Sequence, residues 1–152
     1  LLPAYRGTKS SVWALLNKEK KTGITFHYMN SKIDDGKIIL QKIIKINKND
    51  NAYTLYNKLI SLFIINLPLA LRRLTQNYSG KKQKGKISYF KRELPYNGVR
   101  NFEDITYSEA EQFVKAMYFP GFKSAFFRLK NSTEIEIKSL EELKKFKGKF
   151  KH

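Results

Sequence analysis

The chain has 152 residues, of which 30 are basic and 13 acidic, giving a net charge of +17, and it contains no cysteine. This length allows one domain with a hydrophobic core, or part of a larger one. The missing cysteines exclude disulfides and thiolate metal sites. His27 and His152 lie too far apart in sequence to indicate a histidine metal site, so we predict no metal.

The positive charge indicates an anionic partner, such as nucleic acid, a phosphorylated small molecule or a membrane surface. Dispersed lysines that mainly provide solubility are an equally acceptable interpretation. The most apolar stretch, residues 59–71, is interrupted by polar residues and a proline. It is shorter than the roughly 20 residues that a membrane span requires. The first residues show no signal pattern, and we expect a soluble, cytoplasmic protein that crosses no membrane.

The first 46 residues alternate between loops and short elements. Residues 1–9 predict a loop, and Ser10 or Ser11 predicts the cap of a helix through residues 12–16. Thr22-Gly23 is expected to end that unit. Strands are expected at residues 24–29, which alternate in polarity, and at residues 37–46, which are apolar and β-branched.

A long helix is expected next, capped by residues 49–51, with apolar side chains recurring at helical spacing. Pro68 should kink or restart this helix, because proline removes a backbone donor. The helix should end near Tyr78, with Gly80 as the stop.

The basic segment KKQKGK, residues 81–86, predicts a boundary between a domain at 1–80 and a smaller one at 81–152. After it we expect a short strand at 87–90 and a turn at ELPYNG. A helix should follow, capped by Ser108 with Glu111 in the capping-box position. Strands 125–129 and 134–138 should form a hairpin, and the tail KKFKGKFKH should be frayed.

An acidic pair, Asp34 and Asp35, stands with Gly36 directly before the second strand. Taken alone, this is ordinary turn chemistry, because aspartate makes local hydrogen bonds and glycine tolerates positive φ. The preceding sequence gives the pair a second interpretation.

Four motifs occur in order over residues 1–41. They are Leu-Leu-Pro-x-Tyr-Arg-Gly, Trp-Ala, Thr-Gly-x-Thr-x-His and Ile-Asp-x-Gly-x-Ile-Ile. Their order and spacing resembles that of the folate-dependent formyltransferases, which include methionyl-tRNA, glycinamide ribonucleotide and nucleotide-sugar N-formyltransferases. Beyond residue 41 the likeness is looser, although SYFKRELP and FVKAMYFPGFKSAFF resemble the C-terminal part of the sugar-modifying members.

The resemblance implies an α/β fold. Residues 1–80 would be the C-terminal half of a Rossmann-like formyltransferase domain, and residues 81–152 a small α+β subdomain. In the family, an Asn-x-His-x-Ser run with the catalytic Asn and His precedes Leu-Leu-Pro, and this sequence begins at Leu1. We therefore expect a fragment that is inactive alone. Its exposed strand edge predicts self-association, for example as a homodimer.

The resemblance also implies the chemistry and its residues. The family transfers a formyl group from 10-formyltetrahydrofolate to an amine. For this chain the expected acceptor is the amino group of a nucleotide-linked amino sugar. Asp34 falls on the catalytic aspartate, which accepts the proton of the amine. The residues expected at the folate are Ile33, Asp34, Asp35 and Gly36, with the Asp35 side chain in solvent and Gly36 leaving room for the ligand. His27 is expected to support the loop that carries Asp34.

Four further residues are candidates for the substrate. Arg6 could anchor an anion bidentately, or bind loop carbonyls instead. Tyr89 could stack on a nucleotide, and Lys91 and Arg92 could contact its diphosphate. An exposed basic strand edge is the alternative for these three. The region after Gly80 offers too few strands for the β-barrel of the tRNA-modifying members, so nucleic acid is disfavoured as a partner. A methionyl-tRNA formyltransferase-like enzyme and a basic RNA-binding module remain the alternatives.

Overall fold

The structure is a computed structural model that describes residues 1–151. It has a mixed α/β fold. Its elements in chain order are β1 (Arg6–Gly7), α1 (Ser10–Leu16), β2 (Lys21–His27), β3 (Ile38–Lys45), α2 (Ala52–Thr75), β4 (Tyr89–Phe90), β5 (Val99–Asn101), α3 (Tyr107–Met117), β6 (Ala125–Arg128), β7 (Glu134–Ile137) and α4 (Leu140–Lys144). Short 3₁₀ helices occur at Pro95–Gly98, Phe102–Asp104 and Lys147–Lys149.

The chain divides into two compact units that interleave in sequence. The first contains Leu1–Ser10, Lys20–Asn47 and Leu55–Arg92, and the second contains Ser11–Glu19, Lys48–Thr54 and the chain from Glu93 onward. The first unit thus extends past the expected boundary after residue 80, because β4 pairs with β1 at the start of the chain. The assignment of 1–80 and 81–152 as functional domains stays a prediction.

In the first unit, β2 and β3 form an antiparallel pair with Lys21 opposite Lys45 and His27 opposite Ile38. Both expected strands are confirmed. The expectation that Thr22-Gly23 ends the preceding unit is wrong, because both residues lie inside β2. Gly23 packs against the neighbouring strand so closely that a Cβ atom would lie 1.9 Å from the carbonyl oxygen of Lys42. The glycine therefore serves a close backbone approach and not a turn.

Helix α2 runs over 24 residues and continues through Pro68 without restarting. It ends in a Schellman arrangement: the amide of Asn77 donates to the carbonyl of Leu74, and the amide of Tyr78 to that of Arg73. Asn77 adopts a φ of 55°, as the residue after such a helix end must. The expected stop at Gly80 is thus three residues late.

The core of the first unit lies where β3 meets α2. Ile39, Leu40 and Ala70 are buried there, with Phe26, Tyr28 and Tyr78 packed against them. Much of α2 still exposes apolar side chains: Tyr53, Tyr56, Ile60, Phe63, Ile64, Ile65, Leu69, Leu71 and Leu74. By length and composition alone this helix could cross a membrane. The apolar stretch at residues 59–71, taken by itself, is too short for a span, so the sequence did not predict this. That criterion is weak evidence, since helices of soluble proteins also meet it.

The second unit contains a three-stranded sheet in the order β5-β6-β7. The hairpin of β6 and β7 confirms the expected one. Its core gathers apolar residues of α3, α4 and the sheet, including Phe102, Phe113 and Phe127. The tail is not frayed as expected, because Phe150 is buried and its ring lies 5.0 Å from that of Phe102.

Helix α3 begins two residues earlier than the sequence indicates. Thr106 is its cap, and the side chain of Glu109 returns to the backbone amide of Thr106, which completes a capping box. The expected pair Ser108 and Glu111 is therefore wrong. Both Ser108 and Thr106 precede a glutamate by three residues, so the spacing alone cannot choose between them.

We expect Thr106→Ala to lower the free energy of unfolding by about 1 kcal/mol, because the first turn of α3 loses its cap. Thermal denaturation followed by circular dichroism measures this loss. Ser108→Ala is the matched control and should change the melting temperature little. A larger loss from Ser108→Ala than from Thr106→Ala would contradict the observed cap.

Candidate functional site

The site is built where the start of the chain pairs with residues 88–90. The amide of Arg6 donates to the carbonyl of Ser88 at 2.9 Å, and that of Thr8 to the carbonyl of Phe90 at 3.1 Å. Gly7 has a φ of 96°, and a Cβ atom on it would lie 2.2 Å from the carbonyl oxygen of Phe90. Only glycine fits here. The expected loop at residues 1–9 thus contains a short strand that fixes the Arg-Gly pair.

The carboxylate of Asp34 is held from two sides. Its Oδ2 accepts a hydrogen bond from the amide of Gly7 at 2.8 Å, and its Oδ1 lies 3.5 Å from Nε2 of His27. About a third of the Asp34 side chain (31%) remains exposed. The carboxylate is therefore oriented by the protein yet open to a ligand.

The second nitrogen of His27 fixes the ring. Its Nδ1 lies 2.9 Å from the carbonyl oxygen of Tyr28. A carbonyl only accepts, so Nδ1 carries the proton, and in a neutral ring Nε2 faces Asp34 without one. The supporting role of His27 for the loop that carries Asp34 stays a prediction.

Asp34 adopts an unusual backbone conformation, with a φ of 51°. Aspartate tolerates the left-handed region better than most residues, but the conformation still costs free energy. Such strain persists only where the surroundings impose it, and it is found at ligand sites more often than elsewhere. The acidic pair thus forms a turn, and its functional interpretation stays a prediction.

Asp35, which we expected to face solvent, keeps 31% of its side chain exposed but also forms an ion pair. Its Oδ1 lies 2.6 Å from Nη1 of Arg6, whose side chain is 11% exposed. The hydrogen bond from Arg6 is the main cause that lowers the pKa of Asp35 below its ordinary value. The variable position of the motif is thus occupied by an ion-pair partner that ties the loop to β1.

Gly36 is required for a reason that the sequence did not show. A Cβ atom on it would lie 1.6 Å from the carbonyl oxygen of Tyr28. The glycine allows the two sides of the loop to touch, in addition to any space it leaves for a ligand. Ile33, which precedes the acidic pair, leaves 60% of its surface exposed.

The sequence reasoning missed Gln83, which lies in the basic segment taken as a linker. Its Nε2 donates to the carbonyls of Asp34 and Gly36, each at 2.8 Å. Its Oε1 accepts from Nη2 of Arg6 at 2.9 Å. One uncharged side chain among lysines was the available signal.

The substrate candidates fall into two groups. Arg6 is buried and uses both terminal nitrogens within the protein, so its role as a substrate anchor stays a prediction. Tyr89 is 54% exposed, and Lys91 and Arg92 follow it with exposed side chains. The backbone carbonyls of these two accept from Thr8 Oγ1 and from the Lys9 ammonium. Tyr89, Lys91 and Arg92 thus form a second exposed segment after residues 81–86. It lies beside β1, the strand whose Gly7 amide binds Asp34.

Among residues 1–151, no group of three or more His, Asp or Glu side chains is arranged to hold a metal ion. The groups around Asp34 are its own carboxylate, the imidazole of His27 and the backbone amide of Gly7. These groups suit proton transfer to or from a bound ligand.

Comparison with known proteins identifies residues 1–71 as matching the formyl transferase family model. The chain is 38% identical over 131 residues to the GDP-perosamine N-formyltransferase of Brucella melitensis biotype 1, covering 85% of this chain and 49% of the relative. It is 41% identical over 93 residues to the methionyl-tRNA formyltransferase of Thermodesulfovibrio yellowstonii, covering 59% of this chain and 29% of that protein. The chain thus spans about half the length of its Brucella relative.

Solved structures give the same result. A 4-N formyltransferase from Francisella tularensis superposes with a TM-score of 0.78 at 23% identity, over 90% of this chain and 57% of its own, which supports the fold. The N-formyltransferase from Helicobacter canadensis, solved with folinic acid and dTDP-3-aminofucose, superposes with a TM-score of 0.71 at 30% identity, over 85% of this chain and 48% of its own. The expected α/β formyltransferase fold is confirmed. Through residues 1–71 and the motifs they carry, the chain belongs to the formyltransferase family.

Proposed function

We propose that this chain belongs to an N-formyltransferase that moves a formyl group from 10-formyltetrahydrofolate to the amino group of a nucleotide-linked amino sugar. Its contribution is the aspartate loop, residues 28–37, which carries Asp34 between β2 and β3. The observation that carries the proposal is the Asp34 carboxylate, fixed by the amide of Gly7 and facing His27. It lies in the part of the chain that matches the family. The Brucella relative is named for GDP-perosamine, and the Helicobacter enzyme was solved with dTDP-3-aminofucose; both support a sugar-nucleotide substrate.

The chemistry assigns Asp34 one task. Formyl transfer forms a bond between the substrate nitrogen and the formyl carbon, breaks the bond from that carbon to N10 of the folate, and moves one proton from the amine to N10. The Asp34 carboxylate accepts the amine proton, directly or through water. While Asp34 holds this proton, Nε2 of His27 could accept a hydrogen bond from the protonated carboxyl before the proton passes to N10. The family's Asn and His, which stabilise the oxyanion, would come from the half of the fold that precedes Leu1.

The loop fits one wall of a folate site. 10-Formyltetrahydrofolate supplies the formyl group, and the exposed side chain of Ile33 offers an apolar contact for its flat ring. Asp34 would approach the transferred group through the exposed part of its carboxylate. The side chains of Asp35 and Gly36 serve the loop itself, so only their backbone would contact the cofactor.

The substrate diphosphate would bind at the basic segment after β4. Lys91 and Arg92 directly follow β4, which pairs with β1, and in this proposal a nucleotide stacked on Tyr89 places its sugar towards Asp34. In this proposal, residues 1–80 carry catalysis, residues 81–152 carry substrate binding, and the enzyme is cytoplasmic and a homodimer.

We expect Arg92→Glu to weaken binding of the nucleotide sugar roughly ten- to hundred-fold, because charged hydrogen bonds of about 1.5–3 kcal/mol are lost. Folate affinity should change little. Calorimetric titration of each ligand separately measures both effects in the complete enzyme, meaning this chain joined to the preceding half of the fold. Lys123→Glu, an equal charge change at an exposed lysine of the second unit, is the matched control.

Methionyl-tRNA formyltransferase-like activity is the second candidate, and the Thermodesulfovibrio relative favours it. If Arg92→Glu left nucleotide-sugar binding intact and abolished retention on a tRNA or other RNA column, the sugar assignment would be wrong and an RNA ligand would replace it.

The direct test is formyl transfer by the complete enzyme. We expect transfer from 10-formyltetrahydrofolate to a GDP- or dTDP-linked amino sugar, detected by mass spectrometry, and no transfer by the chain alone. Activity of the chain alone would overturn the role given to the preceding half. Transfer to methionyl-tRNA and to no sugar nucleotide would select the second candidate.

A further inference from the structure

Gln83 connects the two sides of the aspartate loop through one side chain. Its amide donates both N–H groups, one to the carbonyl of Asp34 and one to that of Gly36, at 2.8 Å each. Its Oε1 accepts from Nη2 of Arg6 at 2.9 Å. The reverse orientation of the amide would set its oxygen against two carbonyl oxygens and its nitrogen against a guanidinium, so the partners define the orientation.

These bonds bear on the only loop residue with a strained backbone. The carbonyl that Gln83 holds belongs to Asp34, whose φ is 51°. The second carbonyl, that of Gly36, follows the acidic pair. With both peptide groups fixed, the direction in which the Asp34 side chain leaves the backbone is fixed too.

Arg6 completes the arrangement. It binds Asp35 through Nη1 and Gln83 through Nη2, while the next residue, Gly7, donates its amide to Asp34 Oδ2. Gln83 therefore contacts the loop and the strand that orients the catalytic carboxylate.

We propose that Gln83 is a positioning residue, which holds the Asp34 carboxylate in the orientation that formyl transfer requires. The proposal rests on the function proposed above, and of the segment 81–86 it adds Gln83 alone to the active site. Gln83 touches no reacting atom and acts through the backbone of Asp34 and Gly36. A misplacement of about 1 Å at a catalytic group can lower the rate by roughly 100-fold.

The test uses two substitutions in the complete enzyme. Gln83→Ala removes all three bonds, whereas Gln83→Glu keeps the side-chain size and the contact with Arg6 but replaces both N–H donors with oxygen. We expect each to lower kcat roughly ten- to hundred-fold with less than about threefold change in KM for the sugar nucleotide. Lys84→Ala, at the exposed neighbouring position, should retain the parent kcat.

A second readout requires no activity. Amide hydrogen exchange followed by NMR should show faster exchange at Gly7, whose N–H donates to Asp34, in both Gln83 variants. Exchange at Ile24, inside β2, should stay slow, which separates repositioning from unfolding. An inactive parent enzyme would overturn the proposed function, and the Gly7 measurement would still test Gln83. Parent-like kcat and parent-like exchange at Gly7 in both variants would overturn the positioning role, as would equal loss of protection at Ile24.

Discussion

Asp34→Asn should lower turnover of the complete enzyme by roughly two to four orders of magnitude, the range for losing a general acid–base group. The substitution keeps an oxygen to accept from the amide of Gly7, so the loop should remain folded. It removes the negative charge that accepts the amine proton and that faces Nε2 of His27. Steady-state assays with 10-formyltetrahydrofolate and an amino-sugar nucleotide measure the loss.

Asp35→Asn is the matched comparison, because the two carboxylates are adjacent. It loses the ion pair with Arg6 but keeps an oxygen for the hydrogen bond. We expect its effect mainly in thermal stability, with a loss of turnover below about tenfold. Asp104→Asn, at an exposed carboxylate of the second unit, should change neither. Equal losses of turnover from Asp34→Asn and Asp35→Asn would show that the catalytic carboxylate is misassigned.

The sequence was sufficient for those parts of the site that lie close together along the chain. The motif containing His27 is followed directly by the motif containing Asp34. His27 ends β2 and Asp34 lies in the loop between β2 and β3, so the hairpin of these strands brings the two side chains together. Periodicity likewise predicted the long helix α2, the helix α3 and the hairpin of β6 and β7. These are local patterns, which a single sequence displays directly.

The parts that escaped prediction depend on contacts between distant residues. The partner of Arg6 in β-pairing is Tyr89, and Gln83 reaches a loop 47 to 49 positions away. In KKQKGK, a single uncharged side chain among lysines does not suffice to distinguish a linker from a segment whose glutamine binds three groups. Gly23 was taken as a break for the same reason, since the strand that requires its small size comes later in the chain.

Gly36→Ala tests whether this close packing forms the loop. The added Cβ would lie 1.6 Å from the carbonyl oxygen of Tyr28 and 3.4 Å from Nδ1 of His27. The first distance is far inside van der Waals contact and involves a backbone atom, which cannot turn aside as a flexible side chain could, so the loop must open. We expect a loss of unfolding free energy of roughly 3 kcal/mol, at the upper end of ordinary substitutions. That corresponds to a fall in melting temperature of roughly 6–12 °C for a protein of this size or larger.

The same substitution should also reduce activity more than stability alone explains. Opening the loop moves the Gly36 carbonyl away from Gln83 Nε2 and releases Asp34 from its strained conformation. Differential scanning calorimetry and kcat at a temperature well below unfolding separate the two effects. Gly148→Ala is the control, because a Cβ atom there meets nothing within 4 Å, and its melting temperature should stay within about 2 °C of the parent. A Gly36→Ala enzyme with parent-like stability and kcat would show that the loop does not depend on contact between Gly36 and Tyr28, and the orientation assigned to Asp34 would then be wrong.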